Sequence, residues 1–143
     1  MSDERWDQAE VRGITHVRVY FADTDKMGIV YHGNYLTWFE IGRTEMMRDQ
    51  GVDYAVVEER GIALPVTEAH LRVRRPAHYN EWIEIETRLA PLRTREVTFL
   101  YQVRRDGTLL VEGETLHVTV NRESGRSTRL PDWLRDGLFR WRE

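Results

Sequence analysis

The sequence predicts an α+β domain in which a curved antiparallel sheet holds one long helix. Three observations carry this. From Tyr35 to Met47, large apolar side chains recur at spacings of three and four, the period of a helix. From Leu64 onward the pattern changes to alternation, with strand segments joined by short turns. The helix is apolar around most of its circumference, so it needs cover from several sides. A five-stranded sheet supplies that cover by curving around it.

The chain has 143 residues, enough for one domain with a single core. Hydrophobic residues make up 41% and charged residues 31%, the balance of a soluble globular protein. A net charge of −3 argues against non-specific nucleic-acid binding, which needs a basic surface. With no cysteine, disulfides, thiolate metal sites and a thiol nucleophile are excluded. The N-terminus is charged and no apolar run follows it, so neither a signal peptide nor a membrane span is expected, and the expected location is the cytoplasm.

In chain order, residues 1–10 are polar and expected to fray. Val11 to Phe21 alternates as a strand, and Asp23 to Gly33 has turn chemistry. The long helix then runs from an Asn34 cap to a stop at Gly51, about 16 residues or roughly 24 Å. Its stripe is Tyr35, Trp38, Phe39, Gly42, Met46 and Met47, widened by Leu36 and Ile41. Gly42 costs a helix interior about 1 kcal/mol relative to Ala, so another element should approach closely there. A short helix is expected from Asp53 to Arg60. Strands follow at Leu64–Arg75, Trp82–Leu89, Glu96–Arg105 and Leu109–Asn121, with a hairpin signal at Asp106-Gly107 and a bulge or bend at Gly113. A Pro-started amphipathic helix closes the chain at Leu130–Trp141. One sheet around one helix leaves a sheet edge open, and edge-to-edge dimerisation is the natural remedy.

The stretch Phe21–Tyr35 gathers two acids, a glycine, a histidine and a helix start. Asp23-Thr24-Asp25-x-x-Gly28-x-Val30-Tyr31-His32-x-x-Tyr35, followed by Phe39-Glu40 and Arg43, resembles the signature of the hotdog-fold acyl-CoA thioesterases. The likeness is greatest to the 4-hydroxybenzoyl-CoA thioesterase group and its YbgC-type relatives, and it is sharp over about Val17 to Met47. The resemblance implies a hotdog fold, dimers often assembled into tetramers, active sites at subunit interfaces, and acyl-CoA hydrolysis without metal or cofactor. It implies that Asp25 is the catalytic carboxylate, as nucleophile or as base. His32 matches the position opening the helix, where a backbone N–H polarises the carbonyl and, in YbgC-type members, the side chain is itself catalytic. Gly28, Val30, Tyr31, Gly33 and Tyr35 complete the expected substrate site. One departure is Phe21, which stands four residues before Asp25 where such members often have Tyr.

The residues fit this chemistry. Thioester hydrolysis needs an activated nucleophile and donors for an oxyanion. A carboxylate, ionised at neutral pH, suits nucleophile or general base. Free N–H groups at a helix start suit the oxyanion. Asp23 reads as a structural turn acid. His16, His70, His78 and His117 show no ligand-like spacing and read as structural. Arg72, Arg74 and Arg75 read as a solvated strand face, with Arg74 as the candidate contact to coenzyme A phosphates. Asp23-x-Asp25-x-x-Gly28 also fits part of an EF-hand loop, but Met27 and Asn34 fall where ligands are required. The rival functions are an acyl-carrier-protein thioesterase or hydroxyacyl dehydratase of the same fold, and a non-catalytic acyl-CoA-binding module.

Overall fold

A computed structural model of the chain describes residues 3–139. Its main body is a five-stranded antiparallel sheet closed over one long helix. We label helices α1 (Glu4–Gln8), α2 (Asn34–Asp49), α3 (Tyr54–Glu59) and α4 (Asp132–Leu138). The strands are β1 (Arg12–Arg18), β2 (Ile62–Ala63), β3 (Val66–Val73), β4 (Trp82–Leu89), β5 (Glu96–Arg105), β6 (Thr108–Val118) and β7 (Val120–Asn121). The main sheet has the order β1-β4-β5-β6-β3, and β2 pairs with β7 in a separate two-stranded piece.

β4 and β5 coincide with their predicted spans. Ile83, Ile85, Thr87 and Leu89 of β4 turn inward as their alternation requires. Asp106 and Gly107 both take positive φ, 49° and 81°, the geometry of a type I′ hairpin turn. Several expectations need correction. Residues 4–8 do not fray: Asp3 caps a short helix by accepting from Arg5 N, and Trp6 is buried against Ala90 and Leu100. The Arg88 guanidinium lies 4.2 Å from the Trp6 ring and donates to its carbonyl at 2.7 Å. β3 does not lie beside β4, although they are consecutive. β4 takes the ladder offered by β1, from Arg12↔Arg88 to Arg18↔Trp82, and β3 pairs instead with β6. The last long strand is split at Thr119, whose hydroxyl donates to the carbonyls of Arg95 and Thr128. Gly113 makes no bulge; it pairs regularly with Leu71 and Tyr101. A side chain there would meet the Phe39 ring, with Cβ only 2.7 Å from Cε2. The final helix ends at Leu138, and the remainder of its expected span, from residue 140, lies outside the described residues.

α2 is the hub of the core. Tyr35, Trp38, Phe39, Met46 and Met47 are buried, and the Phe39 ring stacks on Tyr101 at 4.2 Å. Gly42 lies where β4 crosses the helix: a Cβ would stand 2.9 Å from Ile85 Cγ2 and closer still to the Thr87 hydroxyl. The predicted close approach is therefore present. Leu36 does not join the core; it is 40% exposed. Arg43 does, being only 7% exposed. Among the described residues no strand pairs with the outer edge of β1 or β3, and β3 is exposed at every residue except Leu71. Among the described residues no helix is long and apolar enough to cross a membrane.

Candidate active site

The acidic stretch folds into a miniature hairpin leading into α2. Thr24 bridges Val30, Asp25 N donates to the Ile29 carbonyl at 2.8 Å, and Gly28 N donates back to the Asp25 carbonyl at 3.0 Å. This is a three-residue loop with its last residue left-handed, and Gly28 takes that position at φ 79° without a Cβ penalty. The Asp25 side chain braces the same turn, Oδ1 accepting from Met27 N at 2.8 Å. Asp25 is half-buried.

Asp23 holds the two ends of the stretch together, as a structural acid should. Its Oδ2 accepts from Tyr20 N at 2.8 Å. Its carbonyl accepts from Tyr31 N at 2.9 Å and from Asn34 Nδ2 at 2.8 Å. Asn34 is thus the first residue of the helix rather than its cap. The tight turns begin one step earlier, with Asn34 N on the Tyr31 carbonyl and Tyr35 N on the His32 carbonyl. Gly33, already helical at φ −63° and ψ −24°, is the cap residue, and it gives no side-chain capping bond. The backbone N–H groups of His32 and Gly33 consequently have no hydrogen-bond partner among the described residues.

Around these groups, the exposed His32 ring leans on Tyr31 at 4.5 Å and 44°. Gly33 leaves room for the Tyr31 ring, since a Cβ there would stand 2.7 Å from Tyr31 Cε2. Phe21 is 78% exposed and meets Tyr79 edge-on at 6.0 Å. Tyr79 comes from the segment after β3, which is fixed to the site by Val30 N on the Ala77 carbonyl at 2.9 Å and by an Ile29–His78 bridge.

Three expected binding residues are placed differently. Val30 and Tyr35 are 3% and 1% exposed, and the Tyr35 hydroxyl accepts from Ala77 N at 3.2 Å. Both support the loop from beneath and offer no surface to a ligand. Burial raises the Tyr35 phenol above its ordinary pKa and keeps it neutral. Arg74 is not a free cation: backbone bonds from Arg74 and Arg75 to the Leu110 carbonyl bring it over β6, where it pairs with Glu112 at 2.6 Å. In the single chain Asp25 and Gly33 are half-buried and His32 is exposed. No cluster of three metal-ligating side chains occurs among the described residues.

Sequence reasoning missed a buried polar chain beneath α2. Arg43 Nη1 donates to the Tyr101 hydroxyl at 3.5 Å, and Tyr101 shares a 2.6 Å bond with Thr115. Thr115 meets His117 Nε2 at 2.9 Å, and His117 Nδ1 reaches the Leu64 carbonyl at 2.9 Å. Burial pushes the Tyr101 phenol up to about 12.

A single sheet wrapped around one helix, with an acidic turn at the helix start, is a hotdog fold of the thioesterase type. Comparison with known proteins agrees. A family model described as the thioesterase-like superfamily matches residues 19–138. The acyl-CoA thioester hydrolase YbgC of Escherichia coli O6:H1 is 33% identical over 116 residues, covering 80% of this chain and 87% of its own. Among solved structures, TT1821 from Thermus thermophilus is 38% identical with a TM-score of 0.83, covering 90% of this chain and 95% of that one. The DHNA-CoA thioesterase from Staphylococcus aureus is 30% identical with a TM-score of 0.82, covering 87% and 85%. The chain belongs to the thioesterase-like superfamily, and thioester hydrolysis is its chemistry.

Proposed function

We propose that the protein hydrolyses acyl-CoA thioesters to the free acid and coenzyme A, using Asp25 as the acid–base or nucleophilic carboxylate and the His32 and Gly33 amides as oxyanion donors. In the water-activated form, Asp25 takes a proton from water as the hydroxyl oxygen bonds to the thioester carbon. The carbonyl oxygen becomes an oxyanion under the two amides. The intermediate then collapses, the C–S bond breaks, and the proton passes to the departing thiolate. In this reading the His32 side chain donates that proton. In the nucleophilic form, Asp25 bonds to the carbon, the C–S bond breaks and the coenzyme A thiolate leaves to be protonated, and water then cleaves the resulting anhydride to the free acid and the regenerated Asp25 carboxylate. Neither form draws on a metal or cofactor. The observation that supports the reading is that one short stretch, a hairpin running into the start of α2, carries a carboxylate committed through Oδ1 and two helix-start amides with no partner among the described residues.

The proposal includes a homodimer, or a tetramer of two such dimers, in which the second copy closes the cleft that one chain leaves open. The exposed β3 edge, carrying Val66 at 44% and Val73 at 40% exposure, supports pairing through that strand. A cytoplasmic location, as expected from the sequence, belongs to the same proposal. The test is thiol release over a panel of aliphatic and aromatic acyl-CoAs and the matching acyl-carrier-protein thioesters. Turnover of acyl-CoA is the expected result. Release only from carrier-protein thioesters, hydration of enoyl-CoA without thiol release, or ligand binding with no release would each overturn the reading.

A further inference from the structure

Asp23 is held by side chain and backbone together. Its Oδ2 accepts from Tyr20 N at 2.8 Å, and its own amide donates to the Tyr20 carbonyl at 3.0 Å. So fixed, its carbonyl oxygen accepts twice, from Tyr31 N at 2.9 Å and from Asn34 Nδ2 at 2.8 Å. Those two donors stand at the two ends of the turn over residues 31–34, which Asn34 N closes on the Tyr31 carbonyl at 2.9 Å. Between them lie His32 and Gly33. One oxygen thus brackets the two residues whose amides have no partner among the described residues, and that oxygen belongs to a residue two positions before Asp25.

The two bonds fix different things. The one from Tyr31 N extends the hairpin ladder of Thr24 and Val30 and needs only backbone. The one from Asn34 is made by a half-buried side chain on the first residue of α2. It reaches back past His32 and Gly33 to the strand that carries Asp25. Without it, hairpin and helix each keep their own backbone bonds, but the turn between them loses its side-chain tie. The cap residue of that turn is Gly33, which forms no side-chain capping bond and belongs to the residue type with the most permissive backbone.

We propose that Asn34 is a positioning residue for thioester hydrolysis, resting on the acyl-CoA reading above: its side-chain amide holds the His32 and Gly33 N–H groups in a fixed direction relative to Asp25. Oxyanion donors are effective when they are already aimed at the place where the oxygen will carry charge. A misplacement of about 1 Å can cost on the order of a hundredfold in rate. Asn34 acts through these amides and makes no contact with the thioester itself. Because the oxyanion exists only beyond the ground state, loss of the tie should lower kcat and leave KM nearly unchanged.

The experiment measures steady-state thiol release from the best acyl-CoA substrate by Asn34→Leu and Asn34→Ser. Leucine keeps the branching and approximate size of asparagine, is a better helix former and has no donor. Tyr31 N still satisfies the Asp23 carbonyl in that variant, so no polar group is orphaned and the urea unfolding midpoint should stay close to wild type. The expected result is a kcat lower by about ten- to a hundredfold with KM within about twofold. Serine keeps a hydroxyl donor on a stem one bond shorter, and its kcat should fall between the other two. Wild-type kcat in folded Asn34→Leu overturns the proposal. So does a raised KM at unchanged kcat, which would put the side chain against the substrate. Equal kcat losses in the two variants, or a loss matched by a fall in the unfolding midpoint, overturn it as well, because the donor would then not be what matters. Absence of thiol release by the wild-type protein overturns the underlying reading instead.

Discussion

His117 has no exposed surface, and burial holds its imidazole down at about 4, well below the ordinary 6.5. The folded protein thus binds this proton less readily than the unfolded chain does. Between those two pH values the unfolded state carries the extra proton, so acid favours unfolding. Stability from this residue is fully present above about pH 6.5 and is lost as pH falls toward 4, by up to about 3 kcal/mol. Urea unfolding midpoints should fall over that window in the wild type, and the fall should flatten in His117→Gln. Identical profiles in the two proteins would contradict the assignment. The histidine's burial was not legible in the sequence, because its partners Leu64 and Thr115 come together only when β6 is in place. The same holds for Arg43, whose hydrogen-bond partner Tyr101 lies 58 positions away. Asp23 and Gly28 were legible, since turn acids and left-handed glycines act on neighbours within a few residues.

At the scale of elements, α2 was readable because its period is strong and its stop at Gly51, φ 77°, is local chemistry. Gly42 even announced a close approach by another element, which proves to be β4. The prediction that follows is specific: Gly42→Ala, although a better helix former, should destabilise the protein by about 1–3 kcal/mol, because the methyl group has no room against Ile85 and Thr87. Thermal or denaturant unfolding measures this, and a stabilised variant would show that the two elements can part without cost. The start of α2 was misread by one residue, since Asn34 and Gly33 are both acceptable cap types and the carbonyl of Asp23, which claims the Asn34 amide, is eleven residues back. α1 was missed for a related reason. Five residues make no stable helix alone; this one persists because Trp6 docks on the outer sheet face and Arg5 pairs with Glu114 at 3.0 Å.

At the scale of the whole molecule, a curved sheet around one helix was legible from one helical period followed by alternation, and the hotdog fold from the resemblance carried by Asp23 to Arg43, whereas the strand order was not legible. Consecutive strands with a turn between them suggest neighbours, but β5 and β6 lie between β3 and β4. The open β3 edge leads to a concrete expectation for the intact protein: sedimentation at micromolar concentration should give at least twice the chain mass. A fully active monomer would show that the cleft needs no second copy. The most direct test of the central claim is the single-turnover rate of thiol release by Asp25→Asn on the best acyl-CoA substrate. Loss of about a hundredfold or more is predicted, the usual contribution of a general base, with circular dichroism and oligomeric state unchanged. Release at the wild-type rate by that folded variant would contradict it.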